Sequence, residues 1–410
     1  MKCIFLALFF IFFNSYAFSQ TLDSEINSLK DQVQVLMNKI NELEKDQAQI
    51  LEQKNNNNLP SWIEKTSLAG DFRYRFESID AAESIQRDRQ RIRARVGIKS
   101  QPSEDLELGF GLTTGGGNPV SGNQTLDGGF TRKTVTIDYA YFDFDINNAL
   151  SIRGGKVSNP FFRPGGHYLI FDNDLKPEGF AFKYDSDSFF GNFGLFQIEE
   201  RSKATDISMF GAQLGYQYQF ANEIDFITGI SYYNYDGIKN SCPIFFESGA
   251  GNTLLPLETE GGERAPCKFG EMEGGEYAND YREIEFFNEL SFNLGAHPIT
   301  IFFDYVTNTE VDKFDTGYAT GFSYRDASAP GTWDMAYTYQ DLEADAVLGV
   351  FSDSDWAGGS TDGRGHNIRG SYILPRGWNL GLNYFINERG FAVGNKRDYN
   401  RLMIDFSFRY

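Results

Sequence analysis

The sequence predicts an all-β transmembrane barrel of about sixteen antiparallel strands, preceded by an N-terminal α-helical coiled coil. Three observations lead there. The chain ends on a stretch whose side chains alternate strictly in polarity, it begins with a leader that has the features of a secretory signal, and the connections between its alternating segments are short and long by turns.

The leader, residues 1–19, has an early Lys2, an apolar run from Ile4 to Phe13 and then Ser15-Tyr16-Ala17, which reads as a small-residue cleavage site. The apolar run is too short to anchor the chain as a spanning helix, and Cys3 lies before it, not after it as a lipidation site requires. The mature protein is therefore expected to cross an inner membrane.

Residues 21–54 follow a 4-3 spacing through Leu22, Ile26, Leu29, Val33, Leu36, Ile40 and Leu43. Ile26, Val33 and Ile40 fall at a and the leucines at d, giving a parallel coiled coil, and hence an oligomer. A helix packed against its own domain would show a broader stripe at a period of 3.6. β-branched a with Leu at d nominally favours two strands, and the number stays open. Residues 55–64, with four consecutive asparagines (Asn55 to Asn58) and Pro60, read as a hinge linker.

Residues 65–410 form the predicted barrel. The first strand sets Leu68, Gly70, Phe72, Tyr74 and Phe76 on one face and Asp71, Arg73, Arg75 and Glu77 on the other. The second sets Ile92, Ala94, Val96 and Ile98 against Arg89, Arg91, Arg93 and Arg95. Short turns fall near 102–105, 147–148, 185–188, 221–222, 295–298, 329–331 and 375–377; longer connections fall near 79–88, 115–131, 158–178, 201–206, 237–280, 309–314, 341–364 and 390–398. Seven turns and eight loops separate sixteen strands. A soluble sandwich has no reason for this alternation, whereas a membrane barrel has tight turns at one rim and long loops at the other. The last strand places Leu402, Ile404, Phe406, Phe408 and Tyr410 opposite in face to Arg401, Met403, Asp405, Ser407 and Arg409.

The composition agrees. A chain that is 16% aromatic, with 42 glycines and only three histidines, suits many short strands with aromatic girdles better than a soluble enzyme. A net charge of −20 argues against nucleic acid as a partner. Past the leader no apolar run is long enough for a transmembrane helix. Cys242 and Cys267, in a Gly- and Glu-rich insertion, are expected to form a disulfide in an oxidising periplasm, the alternative being two free thiols.

The leader with its coiled coil, the segment Gly154-Gly155-Lys156-x-x-Asn159-Pro160-Phe161, the segment Asp172-x-Asp174-Leu175-x-Pro177-Glu178-Gly179 and the aromatic final strand resemble the putative-porin family of Gram-negative bacteria, and more distantly the phosphate-selective porins. The resemblance covers nearly the whole mature chain. It implies a sixteen-stranded, trimeric diffusion channel in the outer membrane, with the coiled coil in the periplasm and a third loop that folds inward to narrow the pore. Phosphate-selective porins carry an arginine ladder and a lysine cluster; this sequence has the arginines without the lysine cluster.

Parity turns Arg73, Arg75, Arg89, Arg91, Arg93 and Arg95 inward, and barrel closure brings Arg401 and Arg409 beside them as a basic wall. Four arginines on the lipid face would cost about 2–4 kcal/mol each near the midplane, so the lumen is their place. Glu283, Glu285 and Glu289 of strand ten form an expected acidic wall, and loop three adds Asp172 and Asp174 with Glu178 at its exit. The alternative for all of these is structural pairing with one another. Phe161, Phe162, Tyr168 and Phe171 read as loop packing or as a surface on which sugars stack.

Enzymatic readings lack support: His167, His297 and His366 lie in separate connections without catalytic or metal-binding spacing, and Gly115-Gly116-Gly117 lacks a following Lys-Ser/Thr. No cofactor or metal is expected. The sequence points to an outer-membrane porin passing small hydrophilic solutes and ions. Its expected partners are outer-membrane lipid, further copies of the chain as a trimer before a dimer, and peptidoglycan. The alternatives are a plugged structural or adhesive barrel displaying the 237–280 loop and a solute-specific uptake channel. Charge selectivity stays open at this level.

Overall fold

The computed structural model describes residues 30–45, 61–202, 204–220, 224–245, 248–256, 267–269, 272–295 and 297–410. The expected signal peptide lies outside the described residues, as do 21–29 and 46–54 of the expected coiled coil and 55–60 of the expected hinge. The chain divides into two compact units, one ending at Glu64 and one spanning Lys65–Tyr410. In the first, residues 30–45 are helical and exposed on every side chain, and Ser61–Glu64 adds a single helical turn at the end of the predicted linker.

The second unit is built from sixteen long strands. They are β1 (Thr66–Ala81), β2 (Arg87–Ser103), β3 (Leu106–Thr114), β4 (Val135–Asn147), β5 (Leu150–Lys156), β6 (Glu178–Asp185), β7 (Phe189–Glu199) and β8 (Ile207–Phe220). The second half comprises β9 (Ile224–Asp236), β10 (Arg282–Leu294), β11 (His297–Asn308), β12 (Thr316–Arg325), β13 (Trp333–Leu342), β14 (Gly363–Ile373), β15 (Asn379–Arg389) and β16 (Arg397–Arg409). Each pairs antiparallel with its chain neighbours, and β1 pairs with both β2 and β16, from Asp71 opposite Arg409 to Ala81 opposite Tyr399. That last pairing closes the sheet, so no edge is left with unpaired backbone groups. Tyr410 completes the seam by exchanging backbone hydrogen bonds with Gly70 at 2.9 and 3.0 Å.

The strands alternate as a two-sided sheet must. Leu68, Phe72, Val96, Ile98, Phe110, Phe210, Leu214, Phe286, Phe303 and Phe406 are exposed on the outer face. A continuous apolar belt of this kind is unstable against water and fits lipid. His297 and His366 fall on β11 and β14, not in connections.

Tight turns join the strands at one rim. The opposite rim carries the longer loops: L1 (82–86), L2 (115–134), L3 (157–177), L4 (200–206), L5 (237–281), L6 (309–315), L7 (343–362) and L8 (390–396). Within L5, Cys242 and Cys267 are joined by a disulfide. The main buried apolar cluster lies within the barrel unit. L3 supplies Phe161, Leu169, Ile170, Phe171 and Leu175 to it, L7 supplies Val347, Leu348, Val350 and Phe351, and the inner faces of β7 to β13 supply Phe196, Met209, Tyr233, Phe302, Val306 and Leu342.

Two glycines make that packing possible. Gly165 in L3 has φ 61°, and a Cβ there would stand 2.2 Å from the Phe302 ring. Gly211 on β8 lies flat beneath Phe161, where a Cβ would stand 2.3 Å from the ring. L3 therefore rests directly on the inner wall.

Candidate functional site

The inward side chains of β1, β2 and β16 form the most highly charged strip of the barrel. Strand register places Arg73 opposite Arg93 and Arg75 opposite Arg91. Like charges directly opposite on one face repel, so this strip requires carboxylates from elsewhere.

Its own strands supply some of them. Asp71 lies 3.0 Å from Arg93 and 2.6 Å from Arg95, and Asp405 lies 2.7 Å from Arg75 and 3.8 Å from Arg73. Glu77, wholly buried, is shared by Arg89, Arg91 and Arg401. The loops supply the rest. Asp174 of L3 reaches Arg93 at 3.4 Å and Arg95 at 3.3 Å, and Asp355 of L7 reaches Arg401 at 2.7 Å and Arg75 at 3.2 Å. Asn123 of L2 accepts a hydrogen bond from Arg73 at 2.6 Å.

These contacts set the loop electrostatics. Burial raises the pKa of the Asp355 carboxyl, but the guanidiniums of Arg401, Arg75, Arg73 and Arg91 outweigh it and hold the group below the usual carboxylate range. Asp174 follows the same pattern: burial raises it, and Arg93 and Arg95 bring it down. Asp353 feels a weaker pull from Arg401, and burial with the charge of Asp355 outweighs it and pushes the group up to about 7. Asp172 is raised by burial and by the charges of Asp353 and Asp174.

Seven of the eight arginines singled out from the sequence are thus ion-paired along this strip, in two clusters: Arg73, Arg75, Arg89, Arg91 and Arg401 around Glu77, Asp355 and Asp405, and Arg93 and Arg95 around Asp71 and Asp174. Arg409 shares their parity and stands opposite Asp71 in register, but it is exposed and outside these ion pairs.

The expected acidic wall takes a different form. Glu283 and Glu285 point inward, yet they are 0% and 3% exposed and line no open space. Glu283 accepts the Leu348 N–H of L7 at 2.9 Å, and Glu285 accepts the hydroxyls of Ser231 and Tyr233. Glu289, half-buried, accepts the Gly165 N–H of L3 at 2.6 Å. The loops cover this wall, so Glu283 and Glu289 act as their docking points. Asp172 is likewise buried: its N–H donates to Phe351 at 2.8 Å and its carboxylate accepts the Ser354 N–H at 2.9 Å, tying L3 to L7. Glu178 is exposed and pairs with Lys156 at 2.8 Å.

The loop-three aromatics divide. Phe161 and Phe171 stack at 5.8 Å and both meet Tyr233 edge-on, which is packing. Phe162 lies against Phe190 and Phe287, and Tyr168 lies between His167 and the Arg163 guanidinium.

Sequence reasoning did not single out L7, whose Ser352-Asp353-Ser354-Asp355 run is the only local signal for its role. Nor did it single out Asp71, Glu77 and Asp405, although their parity placed them among the arginines. Two cavities border the strip. One of about 590 Å³ has Arg93, Arg95, Asp174 and Lys176 in its lining; one of about 820 Å³ has Arg89, Arg91 and Arg401. Among the described residues, no group of three or more His, Cys, Asp or Glu is arranged to hold a metal ion.

Comparison with known proteins places this geometry. The model of the family described as putative porin matches residues 81–313 and 278–410. Among solved structures, Pseudomonas putida OprB at high pH superposes with a TM-score of 0.56 at 11% identity, covering 85% of this chain and 96% of that one. Salmonella typhi OmpF in complex with daunomycin superposes with a TM-score of 0.50 at 10% identity, covering 84% of this chain and 97% of that one. At these identities the likeness is one of fold. No curated protein matches the sequence.

Proposed function

Because the chain belongs to the putative-porin family and is a channel protein of the Gram-negative outer membrane, we propose that it passes small hydrophilic solutes and ions by passive diffusion. Water runs along the arginine strip of β1, β2 and β16, while L3 and L7 fill the other side of the lumen and narrow it. Arg73, Arg89, Arg91, Arg93, Arg95 and Arg401 line the path, with the buried Arg75 behind them and Arg409 at the rim of the tight turns, and Asp174 and Asp355 face them from the loops. Guanidiniums on one side and loop carboxylates on the other create a transverse field, which orders water and favours polar over apolar solutes.

The observation that carries this reading is the contact of Asp174 with Arg93 and Arg95 at 3.4 and 3.3 Å, because it stretches loop three from its docking site on β10 to the strip on β2. Val33, Leu36, Ile40 and Leu43 lie exposed at a and d positions along one helix, which supports partner helices and a homo-oligomer, a trimer before a dimer. The coiled coil then stands in the periplasm, where peptidoglycan is within its reach.

Proteoliposomes in isosmotic neutral sugars test the reading. Swelling should be fast in a small sugar and fall steeply with sugar size; absence of swelling in every sugar would reject it. The buried apolar cluster formed by L3 and L7 favours a second reading, a plugged barrel displaying L5, and that absence is the result it predicts.

A further inference from the structure

The cavity of about 820 Å³ lies at the loop end of the arginine strip, and its charge runs against that of the whole molecule. The chain has 37 basic residues against 57 acidic ones. This cavity is lined by Arg87, Arg89, Arg91, Arg389, Arg397 and Arg401, with only Asp355 and Asp362 as carboxylates.

The carboxylates do not balance it. Asp362 accepts the Ala392 N–H at 2.9 Å and forms no ion pair with these arginines among the described residues. Glu77, behind the wall, serves Arg89, Arg91 and Arg401 together, and Asp355 divides between Arg401 and Arg75. Counting Glu77 and Glu83 with the lining, six guanidiniums face four carboxylates, of which Asp355 is shared with Arg75 and Asp362 is not ion-paired with them among the described residues. Among the described residues Arg397 pairs with Glu83 alone, at 3.5 Å, and Arg389 has the Ala357 carbonyl at 3.2 Å and the Tyr399 ring.

A second observation is independent of the count. Among the described residues, the Nε–H groups of Arg91, Arg397 and Arg401 are buried without an acceptor. A buried donor left unmet is costly, and a guanidinium fork is matched in shape by a carboxylate or a phosphoryl group. The same lining carries Ser84 and Ser354, groups that pair with sugar hydroxyls, while the Ser352, Ser360 and Thr361 hydroxyls donate to backbone carbonyls. The volume suits one small solute.

We propose that this vestibule is a binding site for small polyhydroxylated oxyanions, sugar acids or sugar phosphates, which it captures before they pass the narrow region. The proposal rests on the channel reading above and names the solute class of that same pore.

The test is the KCl conductance of the full-length oligomer in planar bilayers, titrated on the loop side with gluconate, glucose 6-phosphate or glucose. A saturable fall in conductance with gluconate, glucose 6-phosphate or both, and none with glucose, is the expected result; which anion acts separates carboxylate from phosphoryl recognition. The rim variant R87S/R397S, which leaves the Glu77 cluster intact, should raise the half-blocking concentration about tenfold. A conducting channel on which neither anion acts more strongly than glucose overturns the site and leaves the channel standing. A chain that never conducts overturns both.

Discussion

The Asp355 carboxylate of L7 stands 2.7 Å from the Arg401 guanidinium of β16, a side chain only 3% exposed. The same carboxylate reaches Arg75 on β1 at 3.2 Å. One loop residue therefore bridges the two strands whose pairing closes the barrel, and L7 is bound to the charged side of the lumen as well as to the apolar side.

Glu77 is the most consequential charge in this network. It is wholly buried and shared by Arg89, Arg91 and Arg401, so Glu77→Gln leaves three guanidiniums without their common counter-ion. Breaking a buried pair from one side costs about 3–5 kcal/mol. Urea unfolding in lipid vesicles should show a loss of that order; an unchanged midpoint would mean that solvent already screens the cluster.

Charge removal from the two sides of the pore should have opposite signs. Arg91→Ser with Arg93→Ser should move the permeability ratio toward cations, and Asp355→Asn should move it toward anions. Reversal potentials across a salt gradient measure both. A shift in the same direction for the two, or none, would place the strip away from the conducting path.

Loop three is held by aromatic packing that a single change can release. Phe161 is buried, stacks on Phe171 and covers Gly211. Phe161→Ala should cost about 3–5 kcal/mol of docking energy, and Gly211→Val should eject the ring by steric clash. Limited proteolysis should then cut within L3 while the barrel stays intact and heat-resistant. Protection equal to wild type would show that the polar contacts of Gly165 and Asp174 suffice.

The junction of L3 and L7 should loosen as pH rises. Burial and Asp355 push the Asp353 carboxyl up to about 7, and Asp172 is raised by burial and by its neighbours Asp353 and Asp174. A folded-state pKa above the unfolded value means that the folded form holds the proton more tightly. The stabilisation is therefore present at low pH and lost as pH climbs through about 7. Protease sensitivity of L7 should increase across that range, and the increase should be smaller in Asp353→Asn, in which Asp172 still titrates and the charge of Asp355 remains paired with Arg401. An unchanged pH profile in the variant would assign the effect elsewhere.

How much of this was legible follows from which features are periodic. Lipid and water impose a two-residue alternation that any strand displays by itself, so the strand count, the closing strand and the inward parity of Arg73 to Arg95 could be read directly. Even the weakly patterned Glu178–Asp185 took its place, because the turn and loop on either side of it were legible. Loop paths carry no period. Parity gave the inward direction of Glu283, Glu285 and Glu289, but only coordinates show Leu348 and Gly165 sitting on Glu283 and Glu289. Asp355 was hidden for the same reason: within a long connection, nothing local says that it meets Arg75 and Arg401.

The most direct measurement is single-channel recording of the purified, folded protein in a planar lipid bilayer. A conducting path along β1, β2 and β16 predicts discrete, repeatable conductance steps that scale with salt concentration. A folded, membrane-inserted barrel that leaves the bilayer insulating would contradict it and leave the plugged barrel in its place.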